Sequence, residues 1–547
     1  MTEENNQTIT WHKPEWNEQG KCIWRSIQTR PASERAIAKL LAPPAKVIPV
    51  IFLPGVMGSN LMSTQKSETS VWRGDSEVSV LFDWAGKSGI QRRQLLDPDL
   101  TVVDSAGKIS KEIFSPVSDD GCLFPPRSKR GWGEVLYFSY GKFLSVFQGA
   151  LIDDWQKSLD ALYQAGKAGK TAEPAAGALS QLVEVMLHTE EENESPLTAE
   201  ELAHFRGFLF PLHVFGYNWL QDNKISAQRL GEYIDEVLDL YRHQHGHGLA
   251  TEKVILVTHS MGGLVARYTS QVLGYQDKIL GIVHGVIPDL GSPAAYRRMK
   301  VGAGQEGPAG VVMGKSAEEL MPVLARAPAP LQLLPSASYY DGRPWLTIKG
   351  GEADGSDLKL PKEGDPFGEI YLNKTLWWRL YEADVIDKDR IVIEKNWNAY
   401  LDLMGKFVQP FIDDIENAYH PNSYLFYGNS SKTDGNLIWI KTSITWPKNT
   451  HESDKKLPNN HREIPLPFNR STLFKLVSSG SPGDGTVPVE SLRAIRRSAT
   501  LKSALAVNVE HQGAYNVDSL RDIDNRPAVR FTLRAIVKMV QEVPASW

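Results

Sequence analysis

Five short apolar runs, rich in β-branched and aromatic residues, constrain the fold of this chain more than any other feature. They lie at residues 47–53, 254–257, 281–287, 424–427 and 504–509. Runs of this length, without polar alternation, are typical of strands buried on both faces of a parallel sheet. Helical periodicity lies between some of them, as at residues 226–241. The alternation predicts an α/β fold with a doubly wound, mostly parallel sheet.

The spacing between these runs is uneven, and two of the gaps are far longer than a simple crossover needs. We therefore predict a core assembled from separate segments, an N-terminal extension, and two large inserted regions that form a cap or lid. For each inserted region the alternative is a surface elaboration remote from any site. The predicted boundaries are 1–45 for the extension, 46–63, 206–300 and 421–547 for the core, and 64–205 and 301–420 for the inserted regions.

Composition and charge exclude several classes of protein. The 547 residues carry a formal net charge of −5, so we expect no nucleic-acid partner. The two cysteines, Cys22 and Cys122, exclude a disulfide-built scaffold. The first seven residues are polar and acidic where a signal peptide is cationic and then apolar, and no run approaches a membrane span. We expect a soluble chain made in the cytoplasm, which leaves the cell, if it does, without an N-terminal signal.

Residues 258–263, Thr-His-Ser-Met-Gly-Gly, follow the run at 254–257 directly and open a helix-like stretch. A strand, a tight turn and a helix in this order hold a serine above the sheet edge, with its hydroxyl exposed to substrate. We therefore predict Ser260 as a nucleophile. Thr258 stands where such turns usually have glycine, which requires small neighbours. The alternative is a structural serine in a chance turn.

A serine hydroxyl needs a base, and that base needs an acid to orient it. His511 follows the last apolar run and is the candidate base. Asp484 lies between two glycines in a sharp turn and is the candidate acid, although an Asp-Gly turn without chemistry is the alternative. The order Ser260, Asp484, His511 is typical of α/β-hydrolases. The rival acids, Asp518 and Asp522, follow the histidine and break that order.

Backbone amides complete the predicted site. Residues 54–59, Pro-Gly-Val-Met-Gly-Ser, close the first strand, and glycine lets such a loop approach a substrate. The amides of Val56 and Met261 are therefore the candidate oxyanion hole. His259 points away from the reaction because neighbouring side chains on a turn diverge, so we expect it to give structural support. We predict no cofactor and no metal ion.

Together these segments resemble the α/β-hydrolase lipases that include lecithin:cholesterol acyltransferase and the GPI inositol-deacylases. The resemblance covers the core strands and implies ester hydrolysis or acyl transfer on lipids, with Ser260, Asp484 and His511 at the three triad positions. The matching motifs are 54–59, 258–263 and 483–488, with secondary matches at 215–219, 291–293 and 333–335.

A closer resemblance is to the bacterial lipase effectors of type VI secretion that carry a deacylase-like domain. It implies a phospholipase of A type that acts on membrane phospholipid in a target envelope or host cell. It also implies a cognate immunity protein and a secretion spike or adaptor protein as partners. A lipid acyltransferase with the same triad, and a catalytically silent binding module, are the alternatives. The candidate acyl-groove residues are Leu320, Met321, Val323, Leu324, Leu331, Leu333 and Leu334, although clustered leucines also form cores.

Overall fold

A six-stranded parallel sheet forms the centre of the protein in the computed structural model. Its strands, numbered along the chain, are β1 (Val50–Leu53), β2 (Leu212–Val214), β3 (Val254–His259), β4 (Ile279–Gly285), β5 (Ser423–Gly428) and β6 (Leu501–Val507). Their order in the sheet is β2-β1-β3-β4-β5-β6, and every pair of neighbours is parallel. The predicted doubly wound, mostly parallel sheet is confirmed.

The structure describes most of the chain, and no helix in that part is long and apolar enough to cross a membrane. The described residues are 8–17, 22–25, 36–41, 44, 46–65, 69–114, 118–169, 177–191, 194–244, 253–386, 393–442, 458–466 and 470–544.

Each of the five predicted runs contributes a strand, but β2 is not among them. It is only three residues long and has a histidine at its centre, so no apolar run marks it. The His213 ring is nevertheless buried, because its two nitrogens hydrogen-bond the hydroxyls of Tyr233, at 3.1 Å, and Tyr241, at 2.8 Å. Tertiary partners thus make a polar residue compatible with a central strand.

Three helices complete the core by packing against the sheet or each other. In helix Asn223–Asp239, Leu230, Ile234 and Val237 form the buried stripe. The C-terminal helix has proline at its first turn, where no backbone donor is lost. The helices are Asn223–Asp239, Gly262–Arg267 and Pro527–Val540.

The first inserted region is not solely a cap. Phe143 lies at the start of the long helix Lys142–Lys167. Its ring is 5.2 Å from that of Phe52 in β1 and 4.8 Å from that of Tyr515. The helix therefore packs on β1 as part of the main core. Residues 143–152 of this helix are buried in the main core, and the bounds 64–205 of the inserted region remain a prediction. The other elements are helices Glu77–Trp84, Gly89–Leu95 and Ala199–Phe205, and strands Leu61–Ser63, Ser70–Trp72 and Thr101–Val103.

A buried ion cluster fastens this region to β2. The Asp119 carboxylate accepts from Arg127 and Arg130, each at 2.6 Å, and Arg130 also donates to the Leu212 carbonyl at 2.9 Å. These two guanidinium groups hold the pKa of Asp119 below its usual value against the opposing effect of burial. Because every charged group has several hydrogen-bond partners, these interactions offset the cost of removing the charges from water.

The second inserted region has its own sheet and its own hydrophobic core. Trp345, Trp439 and Tyr371 are fully buried in that core. Three of the five strands come from beyond residue 421, so the predicted boundary there divides this sheet. The sheet order is Leu358–Leu360, Leu346–Ile348, Leu437–Lys441, Arg470–Ser478, His461–Leu466.

The helices of this region lie between β4 and β5. They are Pro293–Val301, Gly307–Met313, Ala317–Leu324, Pro328–Leu331, Ala383–Ile386, Ile393–Leu403 and Gln409–Asp414, and the short helix Val489–Leu492 follows the second sheet. In its described part, the predicted N-terminal extension contributes two small strand pairs, Thr8–His12 with Ala36–Leu40 and Glu15–Trp16 with Cys22–Ile23.

Glu134 makes folding stability depend on pH. Burial raises the pKa of its carboxyl to about 7, although the Gly216 amide donates to it at 2.9 Å. The native state therefore keeps a proton that the unfolded chain has lost, and the free energy of unfolding falls as pH rises from about 4.5 to about 7. We compare the free energy of unfolding of Glu134→Gln with that of the native protein. The difference, variant minus native, should be about 1–3 kcal/mol larger at pH 8 than at pH 5.

Denaturant unfolding of both proteins at the two pH values measures this gain. The exposed Glu200→Gln serves as the control, for which we expect the same difference at each pH. A Glu134→Gln effect that does not change with pH would contradict the assignment.

Candidate active site

The site lies where the strand order reverses, between β1 and β3. In doubly wound sheets the loops at the carboxyl ends of such strands diverge and leave a crevice for ligands. Here the loop after β1 and the turn after β3 are in close contact. A Cβ atom placed on Gly55 would lie 3.0 Å from the Cβ of Ser260, so only glycine allows this approach.

Ser260 occupies a strained turn between β3 and helix Gly262–Arg267. Its φ is +53°, a left-handed conformation that is unfavourable for a non-glycine residue. The Ser260 amide donates to the Gly285 carbonyl at 2.9 Å, which ties the turn to β4. A Cβ on Gly262 would lie 2.7 Å from the Pro54 carbonyl oxygen, so a side chain there would push the helix away from β1. Thr258 fits because it is buried and its hydroxyl donates to the Val283 carbonyl at 3.3 Å.

The structure brings Ser260, His511 and Asp484 into one hydrogen-bonded chain. His511 Nε2 lies 2.8 Å from Ser260 Oγ, and His511 Nδ1 lies 2.7 Å from Asp484 Oδ2. Since a carboxylate only accepts, Nδ1 carries the proton and Nε2 is free to accept from the serine hydroxyl. All three side chains are buried. The arrangement has the geometry required for nucleophilic catalysis.

Two backbone amides fix the orientation of Asp484. Its Oδ1 accepts from the amides of Thr486, at 2.9 Å, and Val487, at 2.7 Å, which leaves Oδ2 for the histidine. A Cβ on Gly428, at the end of β5, would lie 2.7 Å from the Cβ of Asp484. The carboxylate is therefore held from both sides. Asp518, the rival acid, is exposed and lies near Lys142 and Arg526 instead.

The two candidate oxyanion amides lie on the loops just described: Val56 follows Gly55 and lines the cavity, and Met261 follows Ser260. Among the described residues, neither amide donates a hydrogen bond to another group. An unused donor beside a nucleophile is what an oxyanion hole requires. The role of both amides remains a proposal.

His259 lies beside the three but is not hydrogen-bonded to the serine. Its Nδ1 is 2.7 Å from the hydroxyl of Tyr140, and its Nε2 is 2.8 Å from the backbone carbonyl of His511. Burial and the neighbouring His511 lower the pKa of His259 to about 3, so its ring is neutral. Sequence reasoning missed Tyr140, because it lies in the first inserted region with no motif around it.

A cavity of about 460 Å³ opens above Ser260, and its walls are mainly apolar. Both inserted regions supply these walls. They include Val80 and Leu81 from helix Glu77–Trp84 and Val312 and Met313 from helix Gly307–Met313. Arg298 is a charged group on the same wall, and its Nε and Nη2 are hydrogen-bonded to Glu306.

The predicted acyl-groove residues are wrong with one exception. Only Leu333 lines the cavity. Leu320 is buried without lining the cavity. The remaining residues pack within or against the two hydrophobic cores: Met321, Val323, Leu324, Leu331 and Leu334. The structure therefore favours the alternative of core packing for that cluster.

Among the residues that the structure describes, no group of three or more His, Cys, Asp or Glu side chains is arranged to hold a metal ion.

Comparisons with known proteins agree with this fold. Residues 221–302, which include Ser260 and its turn, match the family described as PGAP1-like alpha/beta domain. A chain of "The crystal structure of Tle4-Tli4 complex" superposes with a TM-score of 0.72 at 28% sequence identity, covering 91% of this chain and 99% of that chain. A comparison with curated protein sequences finds no match.

These similarities support a hydrolase of the esterase or lipase class. The chain has the α/β-hydrolase fold and, as its sequence predicted, resembles the PGAP1-like deacylases around Ser260 and the type VI lipase effectors over nearly its whole length.

Proposed function

We propose that this protein is a serine phospholipase of A type that hydrolyses acyl esters of membrane glycerophospholipids. The hydrogen-bonded chain from Asp484 through His511 to Ser260, at the floor of an apolar cavity, is the observation that carries the proposal. The similarity to the Tle4–Tli4 structure supports the broader class, a lipase effector.

The mechanism follows from the hydrogen bonds of the site. Ser260 Oγ attacks the ester carbonyl carbon while His511 Nε2 takes the hydroxyl proton. The amides of Val56 and Met261 donate to the resulting oxyanion, and Asp484 stabilises the imidazolium. His511 then gives its proton to the departing alcohol oxygen, which leaves an acyl-enzyme. His511 then takes a proton from water, whose oxygen attacks the acyl carbon. As the bond between that carbon and Ser260 Oγ breaks, His511 gives the proton to Oγ, which releases the fatty acid and the free serine.

The surface of the cavity supports a lipid substrate. Val78 and Phe138 line it and are 63% and 40% exposed, and Phe82, on the same helix as Val78, is 81% exposed. Exposed apolar groups of this kind are typical of surfaces that contact lipid or protein. Glu306 occupies Nε and Nη2 of Arg298 on the wall, which leaves Nη1 of this guanidinium to bind a phosphate-bearing head group.

We further propose that the protein is delivered by type VI secretion into a target envelope or host cell. The Tle4–Tli4 structure holds two different proteins together, and by analogy we propose a cognate immunity protein that occludes the cavity. A secretion spike or adaptor protein is the third proposed partner, besides the membrane phospholipid.

Mixed phospholipid vesicles, with mass spectrometry of the products, test the activity. We expect free fatty acid and lysophospholipid from the native protein and neither from Ser260→Ala. Acyl esters of an added sterol would instead identify an acyltransferase. No lipid product, together with no labelling of Ser260 by a fluorophosphonate probe, would refute the proposal.

A further inference from the structure

Two buried side chains connect the loop after β1 to the loop that carries His511. The Gly55 amide lies 3.3 Å from the Tyr140 hydroxyl, which lies 2.7 Å from His259 Nδ1. On its other side the His259 ring lies 2.8 Å, through Nε2, from the carbonyl oxygen of His511. The connection therefore runs from the candidate oxyanion loop to the backbone of the candidate base.

The chemistry of these groups sets the direction of every hydrogen bond. A carbonyl oxygen only accepts, so His259 Nε2 must carry a proton and donate to His511. The neutral ring then has Nδ1 as its acceptor, and the Tyr140 hydroxyl donates to it. The Tyr140 oxygen in turn accepts from the Gly55 amide. The low pKa of His259, caused first by burial, is consistent with one proton on this ring.

Close packing leaves this connection little freedom. Tyr140 and His259 are both buried, and the Tyr140 ring contacts those of Phe52, at 5.2 Å, and His259, at 5.7 Å. A Cβ on Gly55 would lie 3.2 Å from His259 Nδ1, and one on Gly58 would lie 3.0 Å from the Tyr140 hydroxyl. Glycine at these two positions leaves the space that Tyr140 and His259 occupy.

We propose that Tyr140 and His259 are positioning residues, which hold the Val56 amide and the His511 backbone at a fixed separation across Ser260. Tyr140 belongs to the segment that precedes helix Lys142–Lys167. The first inserted region therefore contributes to the geometry of the reaction as well as to the cavity wall. This inference rests on the proposed hydrolase function.

Tyr140→Phe removes one hydroxyl and keeps the ring. We expect kcat for ester hydrolysis, per site titrated with a fluorophosphonate, to fall about 10- to 100-fold, because two buried groups lose their partner. KM should stay within about twofold, since the oxyanion forms only in the transition state. Tyr515→Phe is the matched control: its hydroxyl, also buried beside His259, donates to the Thr258 carbonyl at 3.0 Å.

For Tyr515→Phe we expect less than about a threefold change in kcat. Its melting temperature should fall by about as much as that of Tyr140→Phe, because each variant loses one buried hydroxyl. Equal losses of kcat per titrated site in the two variants would overturn the proposal, because a purely structural hydroxyl predicts equality. Native protein that neither hydrolyses esters nor binds the probe would instead refute the proposed function itself. Activity in the native protein with equal variants would refute only the positioning role.

A second pair of variants tests the positioning role if Tyr140→Phe does not fold. His259→Gln keeps an N–H that reaches toward the His511 carbonyl, whereas His259→Phe has no donor. We expect His259→Gln to retain about tenfold more kcat per titrated site than His259→Phe. Equal kcat values in this pair would overturn the proposal.

Discussion

Replacing Ser260 by alanine is expected to lower kcat for ester hydrolysis by on the order of a millionfold, as loss of the serine does in other triads. The hydroxyl oxygen is the only nucleophile within hydrogen-bond distance of His511 Nε2 among the described residues. Because the triad acts as a unit, the double variant Ser260→Ala/His511→Ala should be no slower than either single variant.

Steady-state hydrolysis of a soluble ester measures this loss. Ser270→Ala is the control, since Ser270 is also buried and lies further along the same helical segment, away from His511. We expect it to keep nearly all of its activity. A double variant much slower than both single variants would show that the two residues act separately.

Asp484→Asn is expected to lower kcat about 10⁴-fold while the fold stays intact. The amides of Thr486 and Val487 select the orientation of the new side chain, because both need an acceptor. The Asn oxygen must face them, so its NH₂ group faces His511. His511 Nδ1 would then accept, its proton would move to Nε2, and the ring could no longer take the proton of Ser260.

Kinetics and the ring NMR signals of His511 test this change. The kcat value should fall, and the imidazole proton should appear on Nε2. Asp518→Asn, at the exposed rival acid, should leave both unchanged. A kcat loss below about tenfold for Asp484→Asn would remove this residue from the proposed mechanism.

The sequence predicted those parts of the protein that are local in the chain. The apolar runs mark five strands of the central sheet, and the turn around Ser260 is legible because a strand, a serine and paired glycines adjoin one another. The order of Ser260, Asp484 and His511 also identified three side chains that the structure places within hydrogen-bond distance.

Other features were not predictable in this way. Strand β2 is short and centred on a histidine, and the second sheet draws its strands from both sides of β5. The cluster from Leu320 to Leu334 was assigned to the cavity, yet its members pack mainly in cores. Apolar composition alone does not distinguish a groove from a core, because the same side chains line both.

By itself the sequence determined the type of sheet, the turn that presents Ser260 and the identity of the two side chains, His511 and Asp484, that are joined to it by hydrogen bonds. Only the tertiary structure decided which inserted residues form the cavity, and that Tyr140 and His259 join the two loops of the site. The physical reason is the distance along the chain between the residues that interact. Backbone conformation and strand burial follow from neighbours in the chain, whereas a cavity wall and a buried hydrogen bond depend on side chains more than a hundred residues apart.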